Sequence, residues 1–166
     1  LNVKPLTQML VAHILKPQME TVNMVNAMAV AKSRGIQISE SRIEEPSDQR
    51  TKITVRVESE VRKRSVSGTL FTGREPRIVN IEGVPVEAAL SEHMLFIRNN
   101  DQPGLIGGVG TILGDANQNI ADFRLGRKDD TKEAVCLISL DAPVSDDLLA
   151  KISKLPQIQS AKRLRF

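Results

Sequence analysis

Leu6, Met9, Leu10, His13 and Ile14 recur at helical spacing along the first stretch of the chain, and Pro17 ends or kinks that run. Met19, Val22, Val25, Asn26, Ala29 and Val30 predict a second helix, with Gly35 as the left-handed residue that closes it. From Ile36 the period changes to two. Ile53, Val55 and Val57 alternate with Thr54, Arg56 and Glu58; Val66, Gly68 and Leu70 form a second run, and Ile78 to Ile81 a third. Glu82-Gly83 reads as a turn into Val84-Pro85-Val86, a short edge piece because proline has no N–H for a ladder. Two helices followed by strands predict a small α+β domain with an antiparallel sheet, assigned to residues 1–90.

Residues 91–166 carry a cleaner pattern. Met94, Phe96 and Arg98 alternate with Leu95, Ile97 and Asn99, which predicts a strand. Leu105, Val109, Ile112, Leu113 and Ala116 mark one face of a helix. Ile120 to Leu125 and Ala134 to Leu140 are two strands joined by the charged turn Arg127-Lys128-Asp129-Asp130. Ser145 is a good N-cap, with Asp146 and Asp147 in the first turn where the helix dipole favours them. Leu148, Leu149, Ile152 and Leu155 face inward, Pro156 stops the helix, and Ile158 to Phe166 is a last strand. The order βαββαβ predicts a ferredoxin-like fold, so the whole chain is an α+β protein of two small domains.

Composition narrows the function classes. Aromatic residues make up only 2% of the 166 residues, with no Trp or Tyr, which argues against a stacking platform for nucleic acid. The net charge of +3 lies in the first half, notably at Arg62-Lys63-Arg64, Arg74 and Arg77. Such charges suit a solvated strand face or an anion site better than a DNA-reading surface. Cys136 is the only cysteine, so no disulfide framework is expected within the chain, and a reducing cytoplasm fits. No apolar run reaches the ~20 residues of a membrane span, and no signal peptide is visible. The first residue, Leu1, is not Met, so the chain is expected to be a segment of a longer protein.

The candidate chemistry gathers at Asn99-Asn100-Asp101-Gln102-Pro103-Gly104-Leu105 and at Asn119. A strand end, a polar loop and a helix start place a carboxylate, amides and free N–H groups around one space. That combination suits a zwitterion such as a free amino acid. Asp101 has an alternative role as the helix cap, and Asn119 could satisfy a turn; its expected return to the sheet edge of Asn99 and Asp101 favours the ligand role. Gly107, Gly108, Gly110 and Gly114 fail the dinucleotide spacing and are read as close helix–sheet packing. His13 is expected in a core or boundary position, His93 at the surface and Cys136 in the core. No metal site and no catalytic constellation are expected.

Val66 to Phe71, Gly73-Arg74-Glu75-Pro76-Arg77-Ile78-Val79-Asn80-Ile81 and Asn100-Asp101-Gln102-Pro103-Gly104-Leu105-Ile106-Gly107 strongly resemble the C-terminal region of long-form D-3-phosphoglycerate dehydrogenases. The resemblance implies an allosteric-substrate-binding (intervening) domain followed by an ACT domain, with an extended segment expected before Leu1. Catalytic domains that use NAD would precede it in the parent protein, and no cofactor is implied here. It implies L-serine as feedback inhibitor, bound between ACT domains of a homodimer or tetramer by the positions matching Asn99, Asp101 and Asn119. Asn99 stands where the family is expected to carry His or Tyr. Arg77 keeps a basic anion-site position, with Arg74 beside it, whereas a second basic residue gives way to Ala88-Ala89. The regulatory part of an iron–sulfur L-serine dehydratase and an ACT dimerisation module without ligand remain alternatives.

Overall fold

The computed structural model describes residues 3–42, 52–72, 74–128 and 131–166. The chain divides into two compact units, Leu1–Ser47 and Asp48–Phe166. In the first, helix α1 (Lys4–Leu15) runs into a 3-10 turn, Lys16–Gln18, at Pro17. The second helix, α2, is only Ala27–Ser33, shorter than its periodicity predicts. The reason lies in two asparagines: Asn23 Oδ1 accepts from the N–H groups of Val25 and Asn26, and Asn26 Oδ1 accepts from Asn23 N–H. These bonds satisfy the backbone in a turn that competes with helix. Gly35 closes α2 at φ +70, with its N–H on Lys32 O and Ile36 N–H on Ala31 O.

The seam between the two helices is Ala12, Leu15, Val22, Ala27 and Ala31, and its three alanines allow close approach. The face predicted from Leu6, Met9 and Ile14 stays exposed, and His13 with it, its Nδ1 within 2.8 Å of Met9 O. Residues 36–42 form no strand, although the two-residue period was expected to begin there, and 43–51 fall outside the described residues.

The second unit holds two four-stranded antiparallel sheets. The first has the order β1 (Lys52–Glu58), β2 (Lys63–Phe71), β3 (Glu75–Ile81), β4 (Val84–Ala89). Glu82 and Gly83 both have positive φ, the geometry of a tight hairpin turn, and β4 lies at the sheet edge as Pro85 requires. The other sheet combines β5 (His93–Asn100), α3 (Leu105–Asp115), β6 (Ile120–Arg127), β7 (Glu133–Leu140), α4 (Asp146–Ser153) and β8 (Ile158–Arg165) in strand order β6-β7-β5-β8. This is the predicted βαββαβ fold. Ser145 caps α4 by accepting from Leu148 N–H at 3.2 Å.

One face of this sheet packs Leu95, Ile97, Cys136 and Ile138 against Leu105, Val109 and Leu113 of α3 and Leu148 and Ile152 of α4. The opposite face, Met94, Val135 and Leu137, packs on Ile81, Val84, Val86 and Ala88 of the first sheet. Strand β7 is therefore buried on both faces, which explains why Ala134 to Leu140 is nearly all apolar. At the rim, Arg64 Nη1 donates to both carboxylate oxygens of Glu82 at 2.8 Å, and Arg98 also pairs with Glu82. Towards β1 and β2 the first sheet's apolar face is bare: Ile53, Val57, Val66 and Leu70 are 40–49% exposed.

The glycines of α3 do not act as expected. A side chain at Gly107, Gly110 or Gly114 would meet open space, and only Gly108 is close to anything, the Leu155 side chain at 3.2 Å. The helix approaches the sheet with Leu105, Val109 and Leu113 instead.

Candidate functional site

The loop after β5 is held from two sides. Asn100 N–H donates to Gln157 O and Asp101 N–H to Lys132 O, both at 2.8 Å. Gln159 Nε2 donates to Asn100 Oδ1 at 2.7 Å, and Gln157 Nε2 to Pro103 O at 3.1 Å. Gly104 is the N-cap of α3, at φ +92 and ψ −13, and no side chain caps the helix. The first-turn N–H groups of α3 are thus presented to whatever enters the loop. Asp101 is not the cap; its Oδ1 lies 3.2 Å from Arg127 Nε at the end of β6.

Gly104 is required twice over. The left-handed conformation disfavours any other residue by roughly 1–2 kcal/mol, and a Cβ would stand 3.2 Å from Gln157 Nε2. Gly104→Ala should lower the thermal midpoint by several degrees, measurable by circular dichroism; an unchanged midpoint would show that the loop relaxes freely.

Asn99 lies on the helix-covered face and is 1% exposed. Its Nδ2 donates to Asn100 O at 3.0 Å and its Oδ1 receives the Cys136 thiol at 3.6 Å. Burial pushes that thiol up to about 12, so it stays protonated and able to donate. Cys136 is a core residue as its apolar strand predicts. Asn99 shapes the strand end from within rather than facing the loop. Leu105 likewise buries its side chain and offers the loop only its backbone.

Asn119 is not on the sheet edge shared by Asn99 and Asp101, contrary to the expectation. Strand β7 measures the separation: Ala134 pairs with both Asn99 and Arg127, while Leu140 pairs with Ile120. The two positions are six residue steps apart along the strand, roughly 20 Å at 3.4 Å each. A helical crossover makes β5 and β6 parallel, so the end of one and the start of the other fall at opposite ends of the sheet. Asn119 Nδ2 donates to Asp141 Oδ2 at 2.7 Å.

Arg77 is well supplied with partners. Glu87 lies 2.9 Å and Glu75 3.4 Å from its guanidinium, which also stacks 4.6 Å over Phe71. Arg74 is exposed and takes no part in that cluster. His93 is half-buried rather than at the surface, 3.9 Å from Glu92. Sequence reasoning also passed over Arg127, Asp141 and Gly126. Arg127 was visible only as one charge in a turn, whose Asp129 and Asp130 lie outside the described residues. Among the described residues no helix is long and apolar enough to cross a membrane.

Comparison with known proteins adds the family. Residues 1–82 match the D-3-phosphoglycerate dehydrogenase intervening domain, and residues 93–157 match the ACT domain. The chain belongs to the regulatory intervening-plus-ACT region of the D-3-phosphoglycerate dehydrogenase family. It is 34% identical to the D-3-phosphoglycerate dehydrogenase of Synechocystis over 166 residues, 99% of this chain and 30% of that protein. The Bacillus subtilis enzyme of the same name is 36% identical over 158 residues, 95% of this chain and 30% of its own length. The Methanocaldococcus jannaschii enzyme is 36% identical over 139 residues. The chain thus spans about 30% of the length of these curated relatives.

Proposed function

We propose that this region senses free L-serine and feeds its concentration back to a phosphoglycerate dehydrogenase catalytic part carrying NAD, by binding the amino acid between the ACT domains of two chains. The observation that carries the reading is the position of β6 at the edge of its sheet, with the Asp101 loop beside one end and Asn119 at the other. A two-fold axis between Phe123 and Arg124 would pair β6 antiparallel with its copy, setting Ile120 of one chain opposite Arg127 of the other. Each Asp101 loop would then meet Asn119 of the partner subunit, and two identical sites would form per dimer.

In such a site the start of α3 favours the ligand carboxylate, Asp101 the ammonium, and the amide of the partner's Asn119 the hydroxyl. A buried amide that expects a hydroxyl rejects analogues lacking one. Serine would shift the dimer only by its differential affinity for two arrangements of the chains. The family membership supports the parent activity; the relatives' shared name also weighs against a dehydratase. The Asn119–Asp141 hydrogen bond favours a second reading, an assembly module in which that amide is already engaged.

Titration calorimetry of the chain above its association concentration tests this, with glycine, L-alanine and D-serine as controls. Saturable heat selective for L-serine, weakened at least about tenfold by Asn119→Ala, is the expected result. Wild-type affinity in Asn119→Ala would remove that residue from the site.

A further inference from the structure

We propose that Arg127 reads the ligand carboxylate, so that the Asp101–Arg127 ion pair docks the zwitterionic head of an α-amino acid. The inference rests on the amino-acid reading above and adds a residue to it. The contact between the two side chains runs from Nε of the guanidinium to Oδ1 of the carboxylate, at 3.2 Å. Among the described residues, Arg127 Nη1 and Nη2 and Asp101 Oδ2 have no hydrogen-bond partner. An acceptor and a two-pronged donor therefore stand side by side, the side chains 34% and 61% exposed.

An α-amino acid carries its ammonium and carboxylate one carbon apart, in the reverse order of charge. Laid head to tail on the pair, its ammonium meets Asp101 Oδ2 and its carboxylate meets the Nη edge of Arg127. Each charge gains an opposite partner and the site acquires no net charge. A guanidinium is suited to this because its planar fork binds a carboxylate through two parallel hydrogen bonds, and the ion pair with Asp101 keeps it beside the loop.

The position agrees as well. Arg127, Ala134 and Asn99 form one row across β6, β7 and β5, level with the loop that opens α3. Arg127 is also where antiparallel pairing of β6 would bring Asn119 of the partner subunit. The head group and the side chain of the ligand would be read at the same end of the sheet.

The test compares L-serine with L-serinamide, which keeps the ammonium and the hydroxyl but lacks the carboxylate. Calorimetry is run on the wild-type chain, Arg127→Ala and Arg127→Lys. Arg127→Ala should weaken L-serine about 10- to 100-fold and leave L-serinamide within about twofold, since the lost contact is to the carboxylate alone. Arg127→Lys should fall between, keeping the charge and losing the fork. Equal affinity of the wild-type chain for the two ligands, wild-type L-serine affinity in Arg127→Ala, or equal loss of both ligands would overturn the assignment. A wild-type chain that binds L-serine while Arg127→Ala does so equally well leaves the sensor reading intact. No heat with any amino acid sinks that reading and this assignment together.

Discussion

Asp101→Ala and Asn119→Ala, each expected to weaken L-serine at least about tenfold, should regain wild-type affinity at a fraction of their sites when mixed. The expectation follows from the separation of these positions within one chain, about six residues along a strand, or roughly 20 Å. An amino acid cannot touch both ends at once. If each site takes Asp101 from one chain and Asn119 from the other, either homodimer has two damaged sites. A mixed dimer has one doubly damaged site and one intact site. Random exchange at equal amounts makes about half of the dimers mixed, so about a quarter of the original sites should return. Calorimetric stoichiometry reads this directly, and the affinity of the restored fraction should equal that of the wild-type chain. Mixed dimers that form but restore no sites of wild-type affinity would rule out a site shared between Asp101 of one chain and Asn119 of the other. Asp101→Ala keeps the backbone bonds of Asn100 and Asp101 that hold the loop, and Asn119→Ala removes one exposed side-chain hydrogen bond, to Asp141.

The second large effect concerns the joint between the sheets. At Gly126 on β6, a Cβ would stand 2.4 Å from Pro85 O, 2.8 Å from Val86 Cβ and 3.1 Å from Val84 Cγ1. Those atoms belong to β4 of the first sheet, and the nearest is a backbone carbonyl that cannot swing aside. Gly126→Ala must therefore push β4 away from β6 and loosen the shared core of Val84, Val86, Val135 and Leu137. Overpacking of this kind costs roughly 1–3 kcal/mol and sometimes more; contact with backbone puts Gly126→Ala at about 3 kcal/mol or above. The denaturation midpoint in urea should fall markedly, whereas Gly110→Ala, facing open space, should leave it level or raise it. Equal behaviour of the two variants would mean that the sheets part easily.

Much of the local architecture was legible from residue periodicity. The alternation in Met94–Arg98, the cap at Ser145 and the turn at Glu82-Gly83 are local signals, each tied to backbone conformation over a few residues, and the elements formed where they point. Local reading went astray where side chains compete for backbone groups. Asn23 and Asn26 shortened α2 although the apolar spacing from Met19 to Val30 is helical. It also misjudged α1, because spacing identifies an apolar face without saying which face finds a partner; the alanines did.

By itself, the sequence determined the α+β class, the βαββαβ order and the family, because periodicity, caps and motif residues all act over short stretches of chain. Only the tertiary structure decided which residues share a space. It sent the Asn99 side chain into the core, joined Asp101 to Arg127, and put Asn119 at the far end of the sheet. It also closed two sheets over Gly126. Spacing along a chain cannot give those distances, since strand direction and sheet order are set by how the apolar faces pack against one another.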